Sequence, residues 1–323
     1  MSSAVVGLDV GGTAVKAAVV DRQGRVLRAD RRATGVAHGV DAVIAGLGDL
    51  AVDLVEQAGA DGVTVAGVGV VVPGVVDETD GVAVYAANIG WHDVPLRSRL
   101  EQRLGLPVAL GHDVRAGAVA EGLVGAARDA TDFLFLPIGT GIAGGIVLDG
   151  RPYAGAHTLG GEIGHTPAVP GGDVCACGQR GCLETYASAA AIARRYAAAG
   201  GTPGLGTDEI MDRTDTDPVA RRVVGEAIDA LATSLTTYTM VLDPDLIVIG
   251  GGMAAAGERL FGPLRAAIAA GLSFHPPVQL VPAALGGQAG CLGAAVLGWG
   301  VAGVAVDDLG WEPVAGPTTA GAR

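Results

Sequence analysis

GLDVGGTAVKAAVVD at residues 7–21 and FLPIGTGIAGGIVLD at 135–149 decide the fold. Each reads as an apolar strand, a turn holding a Gly-Thr pair, a second apolar strand and an acidic residue, and each is followed by Gly-Arg, suited to the next turn. A pattern recurring in this form indicates duplicated halves, each opening on a Gly-rich β-hairpin. After the first hairpin come a strand at 26–29, an amphipathic helix at 40–57 and an uncharged β-branched run at 63–72 that reads as a buried strand, ended by Pro73-Gly74. A strand at 82–85, a helix at 95–104 and a strand at 107–110 complete one α/β unit. Helices at 184–199 and 218–242 and a strand-turn-helix at 246–269 follow the second hairpin. The pattern predicts an α/β protein of two lobes with a cleft between them. Residues 1–111 form the small lobe, 112–287 the large one, a last helix at about 288–303 packs on the small lobe, and 304–323 have the composition of a mobile tail.

The chain has 323 residues, half of them hydrophobic, which suits two domains and excludes wholesale disorder. Lys and Arg total 21 against 34 Asp and Glu, a net charge of −13, and no basic run interrupts that balance. Such a surface repels phosphate backbones and anionic lipids, and 4% aromatics supply no base-stacking platform, so nucleic acid is not the expected partner. The N-terminus MSSAVVGLDV lacks the basic region and cleavage site of a secretory signal, and a reducing cytoplasm is expected. Residues 277–306 carry no charge, yet Pro277, Pro282, Gln279 and Gln288 break the tract. It reads as a buried strand at 278–281 and a buried helix at 290–299 rather than a membrane span.

In the hairpins, Gly11, Gly12 and Thr13, and again Gly139, Thr140 and Gly141, let backbone N–H groups approach an anion. One such loop is satisfied by a tight turn alone; two at matching positions favour a polyphosphate. Gly250, Gly251 and Gly252, between a strand and a helix, form a third candidate. Lys16, the single lysine, is either a phosphate contact or a solvated charge. Asp9, at a strand end between Leu8 and Val10, needs a partner: a Mg²⁺ reached through water, or the N–H groups of its own turn. Asp113 precedes an Ala-rich helical stretch and reads as its N-cap, a place that also keeps a carboxylate ionised and aimed. The strongest single signal is His165-x9-Cys175-x-Cys177-x4-Cys182. Three thiols and an imidazole match a closed, structural tetrahedral Zn²⁺ site, whereas Cys291, alone in an apolar helix, reads as a core residue.

These motifs, with VVPGVVD, ANIGW, GGEIGH, CACGQRGCLETYAS and VIGGGM, resemble the ROK family of repressors and kinases, and within it the bacterial glucokinase-like sugar kinases, over nearly the whole chain. The GEIGH and CxCGxxGCxE pair is highly specific. The resemblance implies an actin-like ATPase (ribonuclease H-like) fold, ATP with Mg²⁺ between two lobes and a hexose, glucose first, in the cleft. It implies that Asp113 is the general base, that Gly74, Asn88, His112, Glu162, His165 and Glu184 lie around the sugar, and that relatives form dimers or tetramers. His165 would place one ring nitrogen on zinc and the other toward a sugar hydroxyl.

One departure stands out: the family usually has Asn-Asp-x-Asn where this chain has His112-Asp113-Val114-Arg115. Neutral His cannot copy the paired donor and acceptor of an Asn amide, and a cation at 112 or 115 close to Asp113 would lower its pKa. The alternative to a kinase is therefore a catalytically weak or altered-specificity sugar sensor. A DNA-binding regulator ranks last, because such relatives carry a helix-turn-helix segment ahead of the first hairpin and here four residues precede Val5.

Overall fold

The computed structural model describes residues 2–314, and its contacts divide the chain into two units. The first runs to Arg128 and adds residues 154–159 and the chain from Gly287 onward; the second comprises the rest. In the first unit lie β1 (Ser2–Val10), β2 (Ala14–Asp21), β3 (Val26–Ala33), α1 (Val40–Ala60), β4 (Val63–Val72), β5 (Val75–Asp77), β6 (Val82–Ala86), β7 (Trp91–Val94), α2 (Leu96–Leu104), β8 (Val108–His112) and α3 (Asp113–Val124). The second holds β9 (Phe133–Pro137), β10 (Gly145–Leu148), β11 (Arg151–Pro152), α4 (Leu183–Ala187), α5 (Ala189–Ala198), α6 (Thr207–Asp212), α7 (Pro218–Leu242), β12 (Leu246–Gly250), α8 (Glu258–Gly271) and β13 (Gln279–Pro282). The chain then returns to the first unit with α9 (Ala289–Val301).

The two main sheets have the same plan, β3-β2-β1-β4-β8 and β11-β10-β9-β12-β13. In each, a hairpin strand pairs antiparallel with its partner and parallel with the strand beyond. The duplication read from the two quoted stretches is therefore a duplication of topology. Leu8, Val6 and Ala4 of β1, with Leu47, Leu50 and Leu54 of α1, build the core on one face of the first sheet.

On the other face lies α9, which is apolar nearly all round and so suited to burial. It approaches so closely because the strands offer glycine: a Cβ on Gly7 would stand 2.4 Å from the Cys291 carbonyl oxygen, and one on Gly69 would stand 1.8 Å from that of Ala294. The same helix receives α3, where a Cβ on Gly293 would meet the Ala116 carbonyl oxygen at 2.2 Å. This contact moves the domain boundary from the expected 111/112 to 128/129, since α3 is packed into the first unit. The expected tail also changes. Leu309 and Trp311 are buried, the Trp311 ring against Gly24, and the Val314 N–H donates to the Val124 carbonyl, so the segment up to 314 is anchored at these residues; 315–323 lie outside the described residues. Among the described residues no helix is long and apolar enough to cross a membrane.

Gly69→Ala should cost about 3 kcal/mol or more of unfolding free energy, because the methyl must displace backbone. Gly46→Ala, exposed in α1 with nothing within 4 Å of the new methyl, should instead gain about 0.5–1 kcal/mol. Chemical denaturation of the two variants checks the contrast.

Candidate active site and metal centre

The first hairpin turns over Gly11–Thr13, closed by the Gly11 N–H on the Ala14 carbonyl. The register sets Asp9 directly across from Lys16. The Lys16 ammonium lies 3.4 Å from Asp9 Oδ2 and donates to the Gly287 carbonyl at 3.0 Å. Lys16 thus pairs with the half-buried Asp9, while its own side chain stays 44% exposed. Burial still raises the Asp9 pKa, with Lys16 opposing and the charge of Asp113 adding to the rise. The carboxyl sits against Gly290, where a Cβ would come 2.6 Å from its Cγ. A cavity of about 390 Å³ opens beside Lys16, Arg31, Gly287 and Cys291.

Asp113 is the first residue of α3, and the N-cap is His112, a correction to the reading of Asp113 as the cap. His112 Nδ1 accepts from the N–H groups of Val114 at 3.2 Å and Arg115 at 3.4 Å. An accepting Nδ1 fixes the proton of the neutral ring on Nε2. The ring is buried, and burial followed by the charge of Arg115 lowers its pKa to about 3, so it remains uncharged near neutrality. Arg115 spends its charge elsewhere: Nε and a terminal nitrogen donate to Glu78 Oε1 at 3.1 and 2.9 Å, and the other terminal nitrogen donates to the Thr158 carbonyl at 3.2 Å. The feared outcome, a cation depressing the base, is reversed. Burial raises the Asp113 carboxyl to about 6, outweighing the Val114 N–H and the charges of Arg115 and Lys16. Its side chain keeps 28% of its surface accessible, enough to meet a substrate.

Other expected residues of the first unit take definite places. Gly74, at φ +88°, is required, because a Cβ would stand 2.1 Å from the Tyr85 carbonyl oxygen. Asn88 is exposed in the turn between β6 and β7, and its amide lies over Gly12, 3.3 Å from where a Cβ would be. Thr34 and Glu78 were not legible from sequence. The Thr34 hydroxyl donates to the Gly11 carbonyl and its N–H to that of Thr13, holding the hairpin from 21 or more residues away, where no local pattern reports it.

In the second unit the structure brings Gly139–Gly141 and Gly250–Gly252 together: the Ile138 N–H donates to the Gly250 carbonyl, and Gly251 lies against the backbone of Ile138. Glu184, the second residue of α4, accepts the Ile142 N–H at 2.8 Å. Glu162 stands 4.0 Å from His165 Nε2.

His165, Cys175, Cys177 and Cys182 converge, with one ligand atom from each, all within 4.8 Å of one another. His165 Nδ1 lies 3.6 Å from Cys175 Sγ, and Cys177 and Cys182 sulfurs lie 3.7 Å apart. A tetrahedron built on Zn–S bonds of about 2.3 Å and a Zn–N bond of about 2.0 Å has edges of about 3.5–3.8 Å, so the donor set fits zinc. The thiols are free and far beyond disulfide length. Burial raises the Cys175 thiol, but hydrogen bonds from Cys177, Thr185 and His165 outweigh it and bring it to about 6; burial and the neighbouring thiols push Cys182 up to about 12. Crowded sulfurs of this kind ionise together only around a cation. Cys291 lies apart in α9, its thiol pushed up to about 12 by burial.

The profile of the ROK family matches residues 5–299, and the chain belongs to that family. A glucokinase from Thermotoga maritima is 34% identical over 308 residues, 90% of this chain and 96% of that protein. Among solved structures, a ROK hexokinase from Thermus thermophilus superposes with a TM-score of 0.81 at 37% identity, covering 92% of this chain and 98% of that one. A ROK family glucokinase from Streptomyces griseus, solved in complex with glucose and AMPPNP, gives 0.77 at 31% identity, covering 92% and 99%. The fold is thus the actin-like ATPase fold of ROK kinases.

His112→Ala should lose about 1 kcal/mol of stability with the cap, whereas His112→Asn, which offers an acceptor at the same N–H groups, should keep most of it. Thermal unfolding at pH 7.5 compares the three proteins.

Proposed function

We propose that this protein is an ATP-dependent hexose kinase of the glucokinase type, with Asp113 as its general base. The observation that carries the reading is the placement of Asp113 as the first residue of α3 with its side chain 28% accessible, in a chain of the ROK family; burial raises its carboxyl to about 6. A base with that pKa is ionised at neutral pH yet still holds a proton well, the compromise that general-base catalysis needs. The likeness to the Thermotoga and Streptomyces glucokinases supports glucose as the first substrate to test and ATP as the donor.

Phosphoryl transfer asks for positioning and charge neutralisation more than covalent chemistry. Asp113 would accept the proton of a sugar hydroxyl as its oxygen attacks the γ-phosphorus. Gly74, Asn88, Glu162 and His165 are proposed sugar-side residues, together with Oε1 of Glu184, whose Oε2 is taken by the Ile142 N–H, and His112 acts behind Asp113 as the helix cap. Backbone N–H groups at Gly11, Gly12, Thr13, Gly139, Thr140, Gly141 and Gly250–Gly252 would hold phosphates. Asp9, already paired with Lys16, would bind Mg²⁺ through water, and the metal would neutralise phosphate charge. Zinc on His165, Cys175, Cys177 and Cys182 would be structural, because four protein ligands leave no open position. A reducing cytoplasm would keep those thiols free, and a homo-oligomer, dimer or tetramer, is the proposed assembly.

The decisive experiment is sugar-dependent ADP release with Mg-ATP across glucose, mannose, N-acetylglucosamine, N-acetylmannosamine, fructose and allose. Release with at least one sugar is expected, and none with any would favour the sensor. Asp113→Asn should lower kcat by about 10²–10⁴-fold. The wild-type kcat/KM should fall below pH 6 as Asp113 protonates. The sign for stability is the opposite. The folded pKa lies above the unfolded value of 3.8, so the ionised form is the disfavoured one, and stability contributed by Asp113 is lost as pH rises through about 6. Asp113→Asn should therefore stabilise the fold by roughly 1–3 kcal/mol at pH 7.5, and the difference should vanish as pH falls below the unfolded value of 3.8. Elemental analysis should find about one zinc per chain, lost in Cys182→Ser and kept in Cys291→Ser.

A further inference from the structure

Glu184 follows the metal loop by two residues, and its carboxylate leaves that loop to grip the second Gly hairpin. Oε2 accepts the Ile142 N–H at 2.8 Å and occupies the space over Gly141, where a Cβ would come 2.6 Å from it. Five residues further on, the N–H of Ala189, the first residue of α5, donates to the Gly139 carbonyl at 2.8 Å. The stretch 184–189 therefore holds both ends of the loop Gly139–Ile142. From the other side, Gly164, next to the ligand His165, lies under the same residue: a Cβ on Gly164 would stand 2.1 Å from the Ile142 carbonyl oxygen. Ile142 is thus clasped between two segments, each anchored at one end by a residue of the metal cluster.

We infer that Glu184 is a positioning residue for the second phosphate hairpin, and that the metal cluster governs nucleotide affinity through it. The inference deepens the kinase reading and rests on it for the word nucleotide. Within itself the hairpin turn is held by the Gly139 N–H on the Gly141 carbonyl and a bridge between Ile138 and Ile142, while Gly139, Gly141, Gly144 and Gly145 give its backbone more freedom than any other residue type would. Fixing Ile142 by its N–H and Gly139 by its carbonyl removes most of that freedom before a phosphate arrives, which lowers the ordering cost of binding. A backbone N–H on a carboxylate is a charge-assisted bond, stronger than a neutral one, and it is protected here because Ile142 is 4% exposed. Metal binding enters because Cys182 is the residue from which α4 starts: its carbonyl accepts the Thr185 N–H, and the Leu183 N–H is held by Thr166, the neighbour of His165. Loosening the cluster loosens the base on which Glu184 stands.

The test uses full-length, zinc-loaded wild-type protein, Glu184→Ala and Glu184→Gln, without sugar. The Gln amide oxygen accepts the same N–H, so it separates the hydrogen bond from the charge. Amide hydrogen exchange reads the hairpin directly. Exchange at Ile142 and its neighbours should accelerate in Glu184→Ala and return close to wild type in Glu184→Gln. Calorimetry with MgAMPPNP should show affinity weakened about tenfold or more in Glu184→Ala and by no more than about threefold in Glu184→Gln. Stripping zinc with a chelator should weaken affinity in the wild type and add little to the loss already present in Glu184→Ala. Unchanged exchange in Glu184→Ala overturns the positioning role. Unchanged nucleotide affinity in that variant, with faster exchange, overturns the link to phosphate binding. A wild-type protein that binds no MgAMPPNP overturns the kinase reading and the nucleotide part of this inference together, while exchange still decides the tether.

Discussion

The seat of α9 on bare glycine backbone is the constraint from which the first unit follows. Where Gly7, Gly69 and Gly293 face carbonyls of α9 or α3, any side chain would stand within 2.4 Å of an oxygen, so the spacing between helix and sheet is fixed by main chain alone. That spacing brings the end of β1, the start of α3 and Gly290 into one corner. Two carboxyls then share a poorly solvated place, with Lys16 alone paired to one of them. Hydration that each would have had in water is missing, and the fold bears the cost as raised pKa values.

His112 and Arg115 show how a local substitution is judged by where its groups end up. On residue type alone, both threaten the base with positive charge. In the fold, burial removes the charge of His112, and its lone pair replaces the cap that an Asn or Ser would give. Arg115 is held to Glu78, whose same oxygen also accepts the His112 N–H. The net field at Asp113 is set by lost solvent more than by neighbours.

Much of the fold was legible because its signals are local. The hairpin turns, the β-branched run of β4, the long helix α7 and the Cys/His spacing each announce themselves within one stretch of chain. The Asp9–Lys16 pair was implicit in the hairpin register, since seven residues across a tight turn fall opposite each other. What escaped depends on partners distant in sequence. Glu78 is 37 residues from Arg115, Glu184 is 42 from Ile142, and Thr34 is 23 from Gly11. The boundary after Arg128 was missed for the same reason: α3 belongs to the unit of α9, which lies far down the chain. Trp311 was read as part of a tail because its neighbours are polar and small, yet one large ring over Gly24 is enough to fix a segment.

The central claim is that desolvation makes Asp113 a base near neutrality, and the most direct measurement is the titration of that one carboxyl. Carbon-13 NMR of protein labelled at aspartate side-chain carboxyls, with Asp113→Asn assigning the resonance, reads the ionisation without turnover. The account predicts a midpoint close to pH 6 for Asp113. A midpoint at or below the ordinary 3.8 would contradict it, placing the carboxyl in contact with solvent or a cation and removing the basis for its catalytic role.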